Sequence, residues 1–204
     1  MNKKLILVLL IFLMSCSKDT DEVEISQNNS TAKIIGYLPT WRFELSSNVE
    51  YCKLTHLNLA FANPDSSGSL IMPDISGVVA DAKSKNPNIK ISISIGGGSL
   101  SNEQASNWSN LIDNPQNRSK VVSKIVDYVL LNNLDGVDVD LEWDYVTSGY
   151  SAFVIDLNNA LDQHSKMITA ALPGTTRYSN LSDNALSAFD FINIMSYDFT
   201  GPWN

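Results

Sequence analysis

Apolar residues fall into short, nearly continuous runs separated by longer amphipathic stretches. The runs at 32–38 (AKIIGYL), 54–62 (LTHLNLAFA), 89–97 (IKISISIGG), 134–143 (LDGVDVDLEW), 167–173 (MITAALP) and 189–199 (FDFINIMSYDF) have the length and residue content of strands. Between the third and fourth, Val121, Val122, Ile125, Val126, Val129 and Leu130 recur at helical spacing behind an Asn114–Pro115 start signal, predicting a helix over 115–132. Phe153, Val154, Leu157 and Leu161 form a similar stripe, and 73–86 and 101–112 also read as helices. Near-continuous apolar strands alternating with helices indicate a parallel sheet covered on its faces. This is the grammar of an α/β (β/α)8 TIM barrel, of which only the first six strands are present.

One segment breaks the apolar pattern. In Asp135-Gly136-Val137-Asp138-Val139-Asp140-Leu141-Glu142-Trp143, strand alternation puts Asp138, Asp140 and Glu142 on one face and Val137, Val139 and Leu141 on the other. Three carboxylates about 7 Å apart repel one another, which no strand keeps for stability. Crowding in an enclosed site drives their protonation apart, so that one stays an acid near neutral pH. The reading is an acid catalyst with supporting acids. A calcium loop is disfavoured, because such loops carry Gly at the sixth position and Gly136 comes second. His56 and His164 are isolated and read as structural; Trp108 reads as packing, and Trp41 is ambiguous.

The pattern D-x-x-D-x-D-x-E, filled by Asp135, Asp138, Asp140 and Glu142, resembles the signature of glycoside hydrolase family 18, the chitinases and endo-β-N-acetylglucosaminidases. Ser94-Ile95-Gly96-Gly97 matches that family's S-x-G-G motif, and Met195-Ser196-Tyr197-Asp198 its M-x-Y-D motif. Family domains have eight strands, so the resemblance implies a C-terminally truncated chain whose residues 33–204 are part of a catalytic domain. Such a remnant is expected to be an open, C-shaped sheet with the acids exposed along one side.

The resemblance also implies roles. Glu142 would be the general acid and base of a retaining, substrate-assisted hydrolysis of β-1,4-linked N-acetylglucosamine, a mechanism set apart from the two-carboxylate scheme. Asp140 would orient the acetamido group, Asp138 would set the charge on Asp140, and Tyr197 would hold the acetamido oxygen. Tyr37, Phe61, Trp143 and Trp203 stand where aromatic walls for sugar rings are expected, and Asp198 can bind a sugar hydroxyl or amide. Asp135, Ser94, Gly96, Gly97 and Met195 are expected to support the site, with Ser94 facing inward within reach of Asp138. The family often has Asp-Trp-Glu-Tyr where this chain has Asp140-Leu141-Glu142-Trp143, so the sugar subsite beside the acid is expected to differ. No metal or organic cofactor is implied. Two other readings stay open: cleavage of the chitobiose core of N-glycans, or a glycan-binding fragment without activity.

The first residues read as processing signals rather than fold. Lys3 and Lys4 precede the apolar run 5–14, too short to span a bilayer, and Leu13-Met14-Ser15-Cys16 resembles a lipobox. Residues 1–15 are therefore expected to be a lipoprotein signal peptide, Cys16 the lipidated residue and 16–32 a flexible tether. The expected location is the bacterial cell envelope, anchored in the outer membrane, with export to the surface left open. Losing residues 1–15 removes two lysines from 14 basic residues and none of the 22 acids, taking the net charge from −8 to near −10. That argues against a nucleic-acid partner. With Cys16 lipidated, Cys52 is the other cysteine and no internal disulfide is expected. The oligomeric state is not fixed by the sequence.

Overall fold

The structure is a computed structural model, and it describes residues 32–201. The signal peptide, Cys16, nearly all of the tether and Trp203 lie outside the described residues. Within them the strands are β1 (Ile35–Pro39), β2 (His56–Pro64), β3 (Leu70–Ile71), β4 (Lys90–Gly97), β5 (Gly136–Leu141), β6 (Met167–Pro173) and β7 (Phe191–Met195). The helices are α1 (Ser76–Lys85), α2 (Asn102–Ile112), α3 (Pro115–Leu131), α4 (Tyr150–Asp162) and α5 (Asp183–Leu186). Six strands pair in parallel in the order β1-β2-β4-β5-β6-β7, and β3 folds back antiparallel on the end of β2. All six predicted strands are found, with ends shifted by up to four residues; β1 and β2 run past their predicted ends to Pro39 and Pro64. The two-residue β3, the four-residue α5 and the 3-10 turns at Thr40–Asn48, Tyr51–Lys53 and Trp143–Tyr145 were not foreseen. The shortest of them span too few residues to show a period, and the longer turn at 40–48 carries no apolar face.

The two faces of the sheet divide the labour. On the outer face Ile91, Ile93, Ile95, Val137, Val139 and Leu141 are fully buried in one core with Val121, Ile125 and Val129 of α3 and Phe153, Leu157 and Leu161 of α4. Each such side chain contributes about 1.5–3 kcal/mol by leaving water. That layer lets the inner face carry buried polar groups: Ser92, Ser94, Asp138, Asp140 and Thr169. The helices that cover the sheet start cleanly. Asn114 accepts hydrogen bonds from the backbone N–H groups of Gln116 and Asn117, with Pro115 in the first turn of α3. Ser101 and Gln104 cap α2 reciprocally. Asp113, in the α2–α3 turn, accepts from Thr147 Oγ1 at 2.7 Å and from the Gly149 N–H at 2.6 Å, tying that turn to the start of α4. A Cβ on Gly149 would run into the Ile112 carbonyl, which explains the glycine there.

Two expectations need correcting. Asp135 does not support the site: it precedes the N-terminal end of β5, seven residues or about 23 Å of strand from Glu142. There it accepts from Lys83 at 2.9 Å, Lys90 at 3.1 Å and the Ile91 N–H at 2.9 Å. Burial works to raise its pKa, but these partners outweigh burial and hold it below the usual carboxylate range. Its role is to lock β5 against β4. Secondly, the acids are not exposed along an open side. The sheet is unpaired at β1 and β7, yet it curls far enough for Asn193 of β7 to donate to the Tyr37 hydroxyl of β1 at 2.9 Å. Asp138 and Asp140 are buried beneath that contact. The expectation that no internal disulfide forms turns on Cys16, which lies outside the described residues. No described helix is long and apolar enough to cross a membrane.

Candidate active site

Side-chain alternation along β5 delivers its acids to three different environments. Asp138 lies deepest and is fully buried. Its Oδ2 accepts from Tyr37 Oη at 2.8 Å and Ser94 Oγ at 2.9 Å, and its Oδ1 from Thr169 Oγ1 at 2.6 Å and Asn193 Nδ2 at 3.2 Å. The sheet register makes two of these contacts local, because Ser94 and Thr169 stand directly beside Asp138 on β4 and β6. Burial pushes the Asp138 pKa up, and the four donated hydrogen bonds pull against that rise. Tyr37, expected as a stacking wall, thus also serves as a donor to Asp138; burial first, then the Asp138 charge, drives its own pKa upward.

Asp140 is buried too, but its Oδ1 has no hydrogen-bond partner. Desolvation, with the charges of Glu142 and Asp138 behind it, pushes its pKa up to about 8. Glu142 follows the last strand residue and is half-buried, and burial raises its pKa as well. Its carboxyl rests over Gly98, where an added Cβ would lie 2.6 Å from Oε1. Gly96 and Gly97 have φ of +103° and +107°, a region closed to most side chains, and a Cβ on Gly96 would meet the Asp140 carbonyl at 2.7 Å. The glycine run therefore lets β4 end hard against the acids.

Three adjoining cavities open above these groups. The central one, about 580 Å³, is lined by Tyr37, Phe61, Asp140, Asn193, Met195 and Tyr197 among others. Met195 and Tyr197 also line a second, about 180 Å³, with Glu142, Trp143, Asp198 and Phe199. Phe61 joins the central cavity to a third, about 390 Å³, bounded by Trp41, the glycines 96–98 and Gln104. Trp41 and Phe61 rings lie 6.4 Å apart, and Trp41 is largely exposed, so it borders the trough rather than the core. Trp143 and Asp198, both beside Glu142, hold left-handed backbone at φ of +52° and +56°. Each costs on the order of 1 kcal/mol, and such strain gathers at functional sites. Trp108 is buried and donates to Asn63 Oδ1 at 2.6 Å, a packing role. His56 packs edge-on to Phe191 at 5.1 Å. Among the described residues no cluster of His, Cys, Asp or Glu forms a metal site.

Sequence reasoning missed Thr169 and Asn193 as partners of Asp138, and it missed Tyr178 and Gly98. A usable signal existed for the first two. Thr169 is a lone polar residue in MITAALP and Asn193 in FINIM, and Asn193 alternates onto the face of Met195 and Tyr197. Tyr178 sits in a loop, where no periodicity points to it.

Residues 33–204 match the family model described as glycosyl hydrolases family 18. The chain belongs to that family. A family 18 chitinase, ChiB from the chitin utilization locus of Flavobacterium johnsoniae, is 55% identical and superposes with a TM-score of 0.83 over 85% of this chain and 56% of its own. Chitinase A1 of Niallia circulans is 27% identical over 84% of this chain and 34% of its own length. A chitinase-like agglutinin from Robinia pseudoacacia shares the fold at 23% identity, with a TM-score of 0.73 over 83% of this chain and 56% of its own. The family 18 segment here thus spans just over half of the ChiB structure and about a third of Chitinase A1. Its six parallel strands form a curled part of the TIM barrel.

Proposed function

We propose that the protein carrying this chain hydrolyses β-1,4-linked N-acetylglucosamine polymers with retention, using the substrate's own acetamido group as nucleophile. One observation carries this reading: Asp140 and Glu142 both line the trough with raised pKa values, but Glu142 alone is only half-buried, at the strand end where a glycosidic oxygen can reach its carboxyl. Asp138 is occupied by four donors, and Asp140, with a pKa of about 8, is largely protonated at neutral pH. Neither is a ready carboxylate nucleophile, which favours a nucleophile supplied by the substrate.

In this mechanism the sugar to be cleaved occupies the central cavity. Protonated Glu142 gives its proton to the glycosidic oxygen as the bond from C1 to that oxygen breaks. The acetamido carbonyl oxygen bonds to C1 from the other face, forming an oxazolinium ion. The unpartnered Oδ1 of Asp140 is suited to meet the acetamido N–H and its developing charge, and the Tyr197 phenol to hold the acetamido oxygen. Glu142, now a carboxylate, takes a proton from the water that adds to C1 and opens the ring. Two inversions leave the configuration retained.

Hydrolysis should therefore require an N-acetyl group on the sugar at the cleaved bond. Turnover of a chitooligosaccharide is expected to exceed that of its deacetylated form and of the cello-analogue by orders of magnitude, with the β-product appearing first by NMR. Comparable rates on all three, or an initial α-product, would exclude substrate assistance.

We further propose that the mature protein is tethered to the outer membrane through lipid on Cys16. The charged start, the short apolar run and the Leu-Met-Ser-Cys ending support this. Cys16→Ala should abolish incorporation of a labelled fatty acid and shift the protein out of the membrane fraction. Unchanged labelling and attachment in that variant would refute the anchor.

A further inference from the structure

We propose that Tyr178 is a positioning residue for Glu142, acting through the backbone of Trp143; this rests on Glu142 being the acid of the reaction above. Trp143 follows Glu142 directly and holds φ +52°, a conformation that a residue with a Cβ keeps only when its surroundings enforce it. Two contacts with Tyr178 do so. The Trp143 N–H donates to the Tyr178 hydroxyl oxygen at 3.1 Å, and the two rings meet edge to face with centroids 6.3 Å apart. The Tyr145 N–H then donates to the Glu142 carbonyl at 2.9 Å, so the chain turns away from the strand immediately after the acid.

Tyr178 is itself fixed. It is buried, and the loop that carries it is bound on both sides. Arg177 donates to the Leu181 carbonyl at 2.8 Å, and Asn180 Nδ2 donates to the Val146 carbonyl at 2.8 Å, across to the turn that follows Glu142. The loop after β6 thus clamps the turn after β5, with Tyr178 at the point of contact. Its phenol also lies in the field of the catalytic acids: burial first, then the charges of Glu142 and Asp140, raises its pKa and keeps it neutral. Tyr178 lines none of the three cavities of the trough, so it acts on the acid rather than on the sugar. Without its oxygen the Trp143 N–H loses its partner, and the left-handed backbone loses an enforcing contact. The Glu142 side chain is then free to swing away from the glycosidic oxygen. A displacement near 1 Å at a reacting group costs about a hundredfold in rate.

The test is Tyr178→Phe in the full-length protein, which keeps the ring and removes the acceptor. Turnover number on chitooligosaccharides should fall about tenfold or more while KM stays within about twofold, the signature of a lost transition-state interaction. Amide exchange at Trp143 should quicken about tenfold or more, and the titration midpoint of Glu142, followed by carbon NMR, should move. Glycine tolerates the left-handed conformation, so Tyr178→Phe should cost little further turnover when added to Trp143→Gly. Wild-type turnover, exchange and Glu142 titration in Tyr178→Phe would overturn the proposal. So would a lowered melting temperature with turnover and titration unchanged, since that is a structural role only. If the wild-type protein cleaves no chitooligosaccharide, the proposed reaction falls, while Trp143 exchange and Glu142 titration still judge Tyr178.

Discussion

Glu142→Gln is expected to lower turnover of chitooligosaccharides by roughly a hundred- to ten-thousand-fold, the usual loss when a general acid is removed. Glutamine keeps the shape of the side chain and cannot deliver a proton to the glycosidic oxygen. Little structural penalty should accompany the loss. The Glu142 carboxyl makes no hydrogen bond to the described residues, and it is only half-buried at the end of β5, where it rests on Gly98. Asp138→Asn would be a poor control, because it would place an NH2 group among four donors and disturb the centre of the sheet. The measurements are turnover by reducing-end release, chitooligosaccharide affinity by calorimetry, and the melting temperature, all on the full-length protein. Binding and melting should match the wild type. A variant that retains more than about a tenth of the wild-type rate would show that another group is the acid.

How legible this site was depended on the kind of residue. The six parallel strands were readable because each is a run of apolar residues long enough to stand out between helical stripes. The acids were readable because Asp138, Asp140 and Glu142 interrupt such a run with the period of a strand, which physical chemistry forbids without a purpose. The central cavity of the trough, with Tyr197, Met195 and Phe61, assembles from strand ends as the barrel logic implies. What was not legible is the consequence of curl. Nothing local in the sequence says that Asn193 will reach Tyr37 and Asp138 from the far edge of the sheet, yet that contact supplies the fourth donor to Asp138. Asp135 misled for the opposite reason. It belongs to the same motif as Glu142, but a strand is straight enough to carry the two to opposite ends, and Lys83 and Lys90 claim it there. Tyr178 is invisible in the sequence because its effect passes through a backbone dihedral of another residue.

The burial of Asp140 should make the protein lose stability as pH rises, and Asp140→Asn should relieve that loss. The ordinary carboxylate value is about 3.9, which stands for the unfolded chain. In the folded chain the value is about 8, set first by desolvation and then by Glu142 and Asp138. A pKa raised on folding means that the folded state binds the proton more tightly. Its contribution is complete below about pH 4 and lost as pH climbs through about 8. Between those limits the slope is about 1.4 kcal/mol per pH unit, so the loss amounts to several kcal/mol by pH 8. Asp138 and Glu142 shift in the same direction, so the measured slope in the wild type belongs to the coupled cluster. Asparagine at 140 cannot ionise and removes the largest repulsion within it. Melting curves from pH 5 to 8.5 should fall steeply for the wild type and less steeply for Asp140→Asn, with the variant melting above the wild type at pH 8. The same variant should be a poor catalyst, since an amide, unlike the Asp140 carboxyl, cannot give up a proton and become the anion that a forming oxazolinium ion favours. Parallel melting profiles across that range would mean that Asp140 is ionised in the folded protein. The site would then hold a second carboxylate competent as nucleophile, and the case for a substrate-supplied one would fail.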